Sequence, residues 1–200
     1  MPVTVGFLIT RNKHKLDEAN AILEEYDLRL EQADIEKLEI QHNDLHVIAW
    51  RAALNAYRIL GKPVVVDDSG LFIKALSGFP GPYSSYVYRT LGLNGVLKLL
   101  ENSTDRSACF KSVVAAVIPP LSGVFAGSVC GRIAEQPRGE GGFGFDPIFI
   151  PEGSDRTFAE MSLREKNLLS HRARAFRAFA KWYIEWFSRV KFKGTQDKGL

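Results

Sequence analysis

Residues Val64–Leu71 read VVVDDSGL. Three β-branched residues run into two carboxylates, a hydroxyl and a glycine. The apolar run predicts a buried strand. The acids then stand at its carboxyl end, where α/β sheets bind ligands, and Gly70 permits a turn that larger residues resist. Neighbouring side chains on a strand point to opposite faces. One carboxylate is therefore expected in a cleft and the other braced or solvated; Asp68 is assigned to the cleft. Asp and Gly after a strand also serve as ordinary turn residues, so the remainder of the chain has to decide between a site and a turn.

On the N-terminal side, Val3–Ile9 reads as a first strand. Thr10-Arg11-Asn12-Lys13 follows, then a helix from about Lys13 to Tyr26, on which Leu16, Ala19, Ile22, Leu23 and Tyr26 recur at helical spacing. Asn12 is a candidate N-cap. Strand, polar loop and helix is an arrangement in which backbone amides and a helix dipole meet a phosphate; Thr10, Asn12 and Lys15 add a hydroxyl, an amide and an ammonium. The plainer reading is a capping Asn12 beside solvated lysines. No G-x-x-x-x-G-K-[ST] loop occurs. A second strand is expected over Leu28–Ile35. After the alternating stretch Leu38-Glu39-Ile40-Gln41, a helix is expected from about Asp44 to Leu60, with Ile48, Ala52, Ala56 and Leu60 as its apolar stripe.

On the C-terminal side, Ser77–Tyr83 is dense in Gly and Pro and reads as a rigid loop. Tyr83–Leu100 reads as helical with a break near Gly92 and Asn94. Ser107–Ile118 and Val124–Ile133 read as an antiparallel hairpin turned by Pro119–Gly123. Gly139–Pro147, GEGGFGFDP, carries four glycines that permit close backbone approach. Ile148–Ile150 reads as a short strand. Ser162 and Glu165 have capping-box spacing. Phe176, Phe179, Ala180, Tyr183 and Phe187 form the core-facing stripe of a long last helix, and residues Lys193–Leu200 are polar.

The chain has 200 residues, 46% hydrophobic and 24% charged, with net charge +3. That is the balance of a globular protein able to bury a core. The positive excess is too small to argue for nucleic acid and suits a polyanionic small molecule. No apolar run reaches membrane-span length, and MPVTVGFLIT lacks the basic start of a signal peptide. Cys109 and Cys130 are too few for a disulfide scaffold and read as buried free thiols in a reducing cytoplasm.

Seven fragments, ITRNKHK, LEIQ, VVVDDSGL, GFPGPYS, GGFGFDPIF, FAEM and EKNLLSHR, occur in that order. Together they closely resemble the inosine triphosphate pyrophosphatase (Ham1-like) family, from Val3 to about Phe179. The resemblance implies hydrolysis of non-canonical purine nucleoside triphosphates (ITP, dITP, XTP) to the monophosphate and pyrophosphate. It implies an elongated, two-lobed α/β protein around a mixed sheet with a central cleft, one domain over residues 1–190 with a polar tail over 191–200, acting as a cytoplasmic homodimer with Mg²⁺. By the same resemblance Thr10, Asn12 and Lys15 grip phosphates. Glu39 and Asp68 hold the metal, and Asp68 is also the proposed general base. Ser69 touches substrate. The piece formed by Phe143, Gly144, Phe145 and Asp146 carries the purine, with Phe143 stacking on it. Lys166 matches the substrate-binding Lys of the E-K-N piece, and Ser170, His171 and Arg172 form the base-reading end. Arg51 stands where the family offers a lysine to the phosphates. Arg11 and His42 replace common glycines, which bears on the geometry of the phosphate loop.

Two other readings compete. A haloacid-dehalogenase-type phosphatase also places an Asp after an apolar strand, but needs a second acid two residues on; Ser69 and Gly70 stand at those places. A non-catalytic nucleic-acid-binding module would use the basic residues Arg164, Lys166, Arg172, Arg174, Arg177 and Lys181, of which Arg174, Arg177 and Lys181 also fit a solvated helix face.

Overall fold

The computed structural model describes residues 1–196. Seven strands form one mixed sheet, β1 (Val3–Leu8), β2 (Leu28–Gln32), β3 (Val64–Ile73), β4 (Pro80–Gly81), β5 (Ser107–Ile118), β6 (Leu121–Ile133) and β7 (Phe149–Pro151), in the order β2-β1-β3-β5-β6-β7 with β4 on β3. β1 runs parallel to β2 and β3; the β3–β5, β5–β6, β6–β7 and β3–β4 pairs are antiparallel. The helices are α1 (Lys13–Leu23), α2 (Leu45–Leu60), α3 (Ser84–Thr90), α4 (Gly92–Leu99), α5 (Leu163–Leu169) and α6 (His171–Gln196).

Most elements fall where periodicity put them. Asn12 caps α1 and Asp44 caps α2, each accepting from the backbone N–H two residues on. Ser162 and Glu165 make a reciprocal capping box on α5. Three expectations change. β3 does not end at the acids: it runs ten residues, through Asp67, Asp68, Ser69 and Gly70 to Ile73. Gly70 therefore makes no turn; a Cβ there would lie 2.2 Å from the Gly81 carbonyl oxygen, so Gly70 lets β4 close on β3. The last helix continues to Gln196, through residues read as tail, and 197–200 lie outside the described residues. Cys109 and Cys130 are not free: they are directly opposed on β5 and β6 and joined by a disulfide. Two long strands in fixed register bring them together, which spacing alone does not reveal.

The sheet explains the lobes. On one face, Val65 and Val114 join an apolar cluster with α1 and the Phe176–Tyr183 stripe of α6. Farther along the same face, Leu71, Ile73 and Phe110 join a second cluster with Val87, Val96 and Phe149. Between them the same row of side chains turns polar at Asp67, Ser69 and Ser112. The opposite face buries Val64, Val66, Val113 and Ala115 under α2. An opening lies on the β1 side. β1 pairs only with Val64 and Val65, and β4 only with Leu71 and Phe72. Between those ladders the edge of β3 carries no strand on this side among the described residues.

Candidate functional site

The polar seam is filled from three elements. Gly127 of β6 is the close-approach point: a Cβ there would meet the His171 carbonyl oxygen at 2.1 Å, so only glycine lets the first turn of α6 settle on the sheet. That seating drives Arg172 into the seam. Its Nε donates to Asp67 Oδ2 at 2.9 Å, Nη1 donates to Glu18 on α1, and Nη2 donates to Ser69 Oγ at 3.0 Å. Lys15 of α1 donates to the open-edge carbonyl of Asp67 and pairs with its Oδ2, both at 3.1 Å. Ser112 donates to Asp67 Oδ1. Lys166 of α5 bridges Glu18 and Asp146 at 2.6 Å each.

Glu18, Asp67 and Asp146 thus face Lys15, Lys166 and Arg172, three charges of each sign, and all but Lys15 are buried. Burial alone would raise the Asp67 carboxyl, but Arg172 and Lys15 outweigh it and hold the group below the usual carboxylate range. Glu18 is held down in the same way, against burial, by Arg172 and Lys166. Asp146 goes up, because burial outweighs Lys166. Burial lowers Lys15 despite Asp67. A buried charge is tolerable only when paired, and here the pairs close on one another.

Asp68 points to the other face, as alternation requires. Lys37, on the irregular chain between β2 and α2, puts its Nζ 2.8 Å from Asp68 Oδ2 and 3.6 Å from Glu39 Oε1. Burial would lower this ammonium, but Asp68 and Glu39 outweigh it and raise it. The side chain of Asp68 is 12% exposed and that of Glu39 76%. Both acids therefore converge on one cation at the rim. Their oxygens suit a hard divalent ion. Among the described residues no group of three or more His, Cys, Asp or Glu makes a complete cage, so further ligands would come from phosphate and water, which is how Mg²⁺ is commonly held.

The loop at Gly141–Asp146 lies against the seam. Phe143 N–H donates to Asp146 Oδ2 at 2.8 Å. The Phe143 ring stacks on His14, centroids 5.6 Å apart and planes 13° apart, with Lys166 Nζ 5.0 Å and the Arg172 guanidinium 5.3 Å from its centroid. Gly144 is left-handed, φ +62°, and turns the chain after it. His171 is buried and stacked on Phe110, centroids 4.7 Å apart. Burial, Arg172 and Lys166 push it well below the ordinary histidine range, so it is neutral at pH 7. Its Nδ1 is buried without a hydrogen-bond partner among the described residues. Ser170 caps α6, its Oγ accepting from the Ala173 N–H.

The structure therefore gathers Lys15, Ser69, Phe143, Lys166, Ser170, His171 and Arg172 about one seam, and Glu39 with Asp68 at its rim. Thr10 and Asn12 open α1 beside it, Thr10 Oγ1 accepting from the Asn12 N–H at 3.1 Å. Two assignments change, those of Phe145 and Asp146. The Phe145 side chain is buried in the second apolar cluster, edge-on to Tyr88, and lines no cleft. Asp146 is buried and braces the loop and Lys166. Arg51 lies on the exposed side of α2, and no hydrogen bond or ion pair among the described residues ties it to the seam. Two residues escaped the sequence reading. Glu18 had a signal, an acid set within the Ala19–Ile22–Leu23 stripe of α1, where an unpaired carboxylate is expensive. Lys37 had none, being one lysine in a charged stretch. A hollow of about 560 Å³ lined by Phe72, Lys111 and the disulfide includes none of these residues.

Rim carboxylates, a lysine at an open strand edge and an aromatic ring over buried cations thus lie along one side of β3. The chain belongs to the Ham1 family, whose model matches residues 7–182. It is 52% identical over 186 residues to the dITP/XTP pyrophosphatase of Hyperthermus butylicus, covering 93% of this chain and 98% of that one. It is 54% identical over 175 residues to the dITP/XTP pyrophosphatase of Pyrobaculum aerophilum, covering 88% and 94%. The solved HAM1 protein of Coxiella burnetii superposes with TM-score 0.76 at 33% identity, covering 92% of this chain and 99% of that one.

Proposed function

We propose that this chain hydrolyses non-canonical purine nucleoside triphosphates, dITP, XTP and ITP, to the monophosphate and pyrophosphate, with Mg²⁺ held by Glu39 and Asp68. One observation carries the reading: Glu39 and Asp68 converge on Lys37 next to Asp67, whose carbonyl and carboxylate Lys15 and Arg172 hold from the seam. Family membership and two relatives named dITP/XTP pyrophosphatases support the same reaction.

In this reading the nucleotide lies across the open edge of β3. Its phosphates meet Lys15 and the α1 N-terminus, and its base stacks on Phe143. Asp68 positions a water, or takes its proton, within hydrogen-bond reach. The water oxygen bonds to the α-phosphorus, the bond from that phosphorus to the bridging oxygen breaks, and pyrophosphate departs. A Mg²⁺ held by Glu39 and Asp68 would supply positive charge against the negative charge that develops. Lys15, anchored on Asp67, adds a fixed charge on the same side.

Arg172 has five N–H groups, and the contacts to Asp67, Glu18 and Ser69 use three donors. The side chain is only 2% exposed, so in this reading the two remaining N–H groups reach the 6-oxo acceptor of inosine or xanthosine only once the base has entered the seam beside Phe143. The 6-amino group of adenine would leave them unmatched, at about 1–3 kcal/mol each. The competing readings lose ground. Arg174 donates to the Ser128 carbonyl, and Arg177 pairs with Glu25, so the basic helix face is engaged within the protein. Asp67 is enclosed by Arg172, Lys15 and Ser112, where an in-line nucleophile has no room. The family resemblance supports a homodimer. With the cysteines bonded, a cytoplasmic place of action rests on the nucleotide pool and not on thiol chemistry.

A panel of ITP, XTP, dITP, ATP and GTP with Mg²⁺, assayed for both pyrophosphate and inorganic phosphate, tests the reading. The expected products are pyrophosphate and monophosphate, with kcat/KM for ITP at least roughly a hundredfold above ATP. Release of inorganic phosphate and a diphosphate, or equal turnover of ATP, would overturn it.

A further inference from the structure

Lys37 stands in the place that the proposed function gives to a metal. Its ammonium lies 2.8 Å from Asp68 and 3.6 Å from Glu39, and its side chain is only 16% exposed. The two acids differ in mobility of setting. Asp68 is fixed on a strand paired to β5 from Val64 to Ile73. Lys37 and Glu39 ride on chain that belongs to no helix or strand. Lysine is a compact charge on a flexible four-carbon stem, with no fixed fork to lock it to one carboxylate. Lys166 and Arg172 of the inner seam contrast with this, being 3% and 2% exposed and held by two and three hydrogen bonds.

A divalent ion between Glu39 and Asp68 cannot share that place with an ammonium, since like charges a few ångströms apart repel strongly in a partly buried site. The ammonium has to leave, and leaving is costly unless it finds another anion. The substrate brings one. We propose that Lys37 is a displaceable counter-ion: it holds Glu39 and Asp68 together in the free enzyme, yields their oxygens to the divalent cation, and passes to the substrate's polyphosphate. Lys37 is then a further substrate-binding residue, and it couples metal to nucleotide. Metal alone binds weakly because it must evict the lysine; metal arriving with nucleotide finds the lysine a new partner. This inference rests on the metal assignment above.

The test uses the whole protein and the variants Lys37→Met and Lys37→Gln, with folding checked by circular dichroism and thermal unfolding. Mn²⁺ or Mg²⁺ alone is titrated calorimetrically. The metal is expected to bind roughly tenfold tighter to both variants than to the wild type, and KM for ITP to rise roughly tenfold with kcat changed less. Metal affinity that is unchanged or weaker in the folded variants overturns the proposal. Tighter metal with unchanged KM overturns the transfer to phosphate. The reading beneath it fails differently: a wild type that binds no divalent ion, or releases no pyrophosphate from any nucleotide, sinks the metal assignment whatever the variants do.

Discussion

The seam and its rim are built from the same kinds of residue and behave oppositely. In the seam, Glu18, Asp67 and Asp146 face Lys15, Lys166 and Arg172, and every charge is met within the protein. At the rim, Glu39 and Asp68 share one lysine, leaving an excess of negative charge open to water. A buried charge must be neutralised before a ligand arrives or the fold does not form. A rim charge need not be. The seam is therefore a device for holding Phe143, His171 and Lys15 in place, and the rim is where the proposed function puts an exchangeable ion. Two adjacent residues of β3 divide between these duties because alternation sends Asp67 inward and Asp68 outward.

The comparison is broken most severely at Arg172. Arg172→Ala strips Asp67 and Glu18 of a shared partner in a site without water access, and is expected to cost about 3–5 kcal/mol of stability. Urea unfolding measures it. A loss under 1 kcal/mol would show that the seam is not the support described. Activity falls with the fold, so this variant says little about base reading. Asp68→Asn should do the reverse. It keeps the shape of the side chain and touches no seam residue, so the fold should survive while pyrophosphate release falls roughly 10²–10⁴-fold. Near-normal turnover would remove Asp68 from the chemistry.

What could be read beforehand divides along the same line. Alternation placed Asp67 and Asp68 on opposite faces, and helical spacing placed α1, α2 and the aromatic stripe of α6. Motif order brought Lys15, Glu39, Asp68, Phe143 and Arg172 into one list. Pairing partners were out of reach, because they depend on register between residues more than a hundred apart: Arg172 with Asp67 and Glu18, Lys166 with Glu18. The same limit hid the disulfide, whose two cysteines became neighbours only once β5 and β6 paired residue by residue. Phe145 was misplaced because a motif names residues and not the direction of their side chains; after the left-handed turn at Gly144, Phe143 and Phe145 part, one to the seam and one to the core.

The disulfide offers a control region. It closes a loop of 21 residues across the hairpin, and removing such a link typically costs about 2–4 kcal/mol. It touches neither seam nor rim. Reduction, or Cys109→Ser with Cys130→Ser, should lower the thermal midpoint and leave kcat/KM for ITP within about twofold at a temperature where the protein remains folded. A large loss of activity without unfolding would mean that the hairpin and the seam are coupled.

The seam should also announce itself in acid. Asp67 and Glu18 are held below their ordinary values of 3.8 and 4.5, in each case because cations overcome burial. A carboxyl lowered in the folded state stabilises the fold above its unfolded value and loses that contribution as pH falls through the folded one. Stability from these two groups is therefore complete above about pH 5 and declines progressively below pH 4. Asp146 is shifted upward and acts in the opposite sense at higher pH, adding stability as pH falls through its raised value toward 3.8, so the acid loss from Asp67 lies below that window. Glu18→Gln keeps the volume, removes one lowered carboxyl, and should flatten the acid limb of a urea-unfolding series run from pH 2 to 7. An acid limb as steep as that of the wild type would place the acid sensitivity elsewhere and leave Glu18 as no more than a spacer between Lys166 and Arg172.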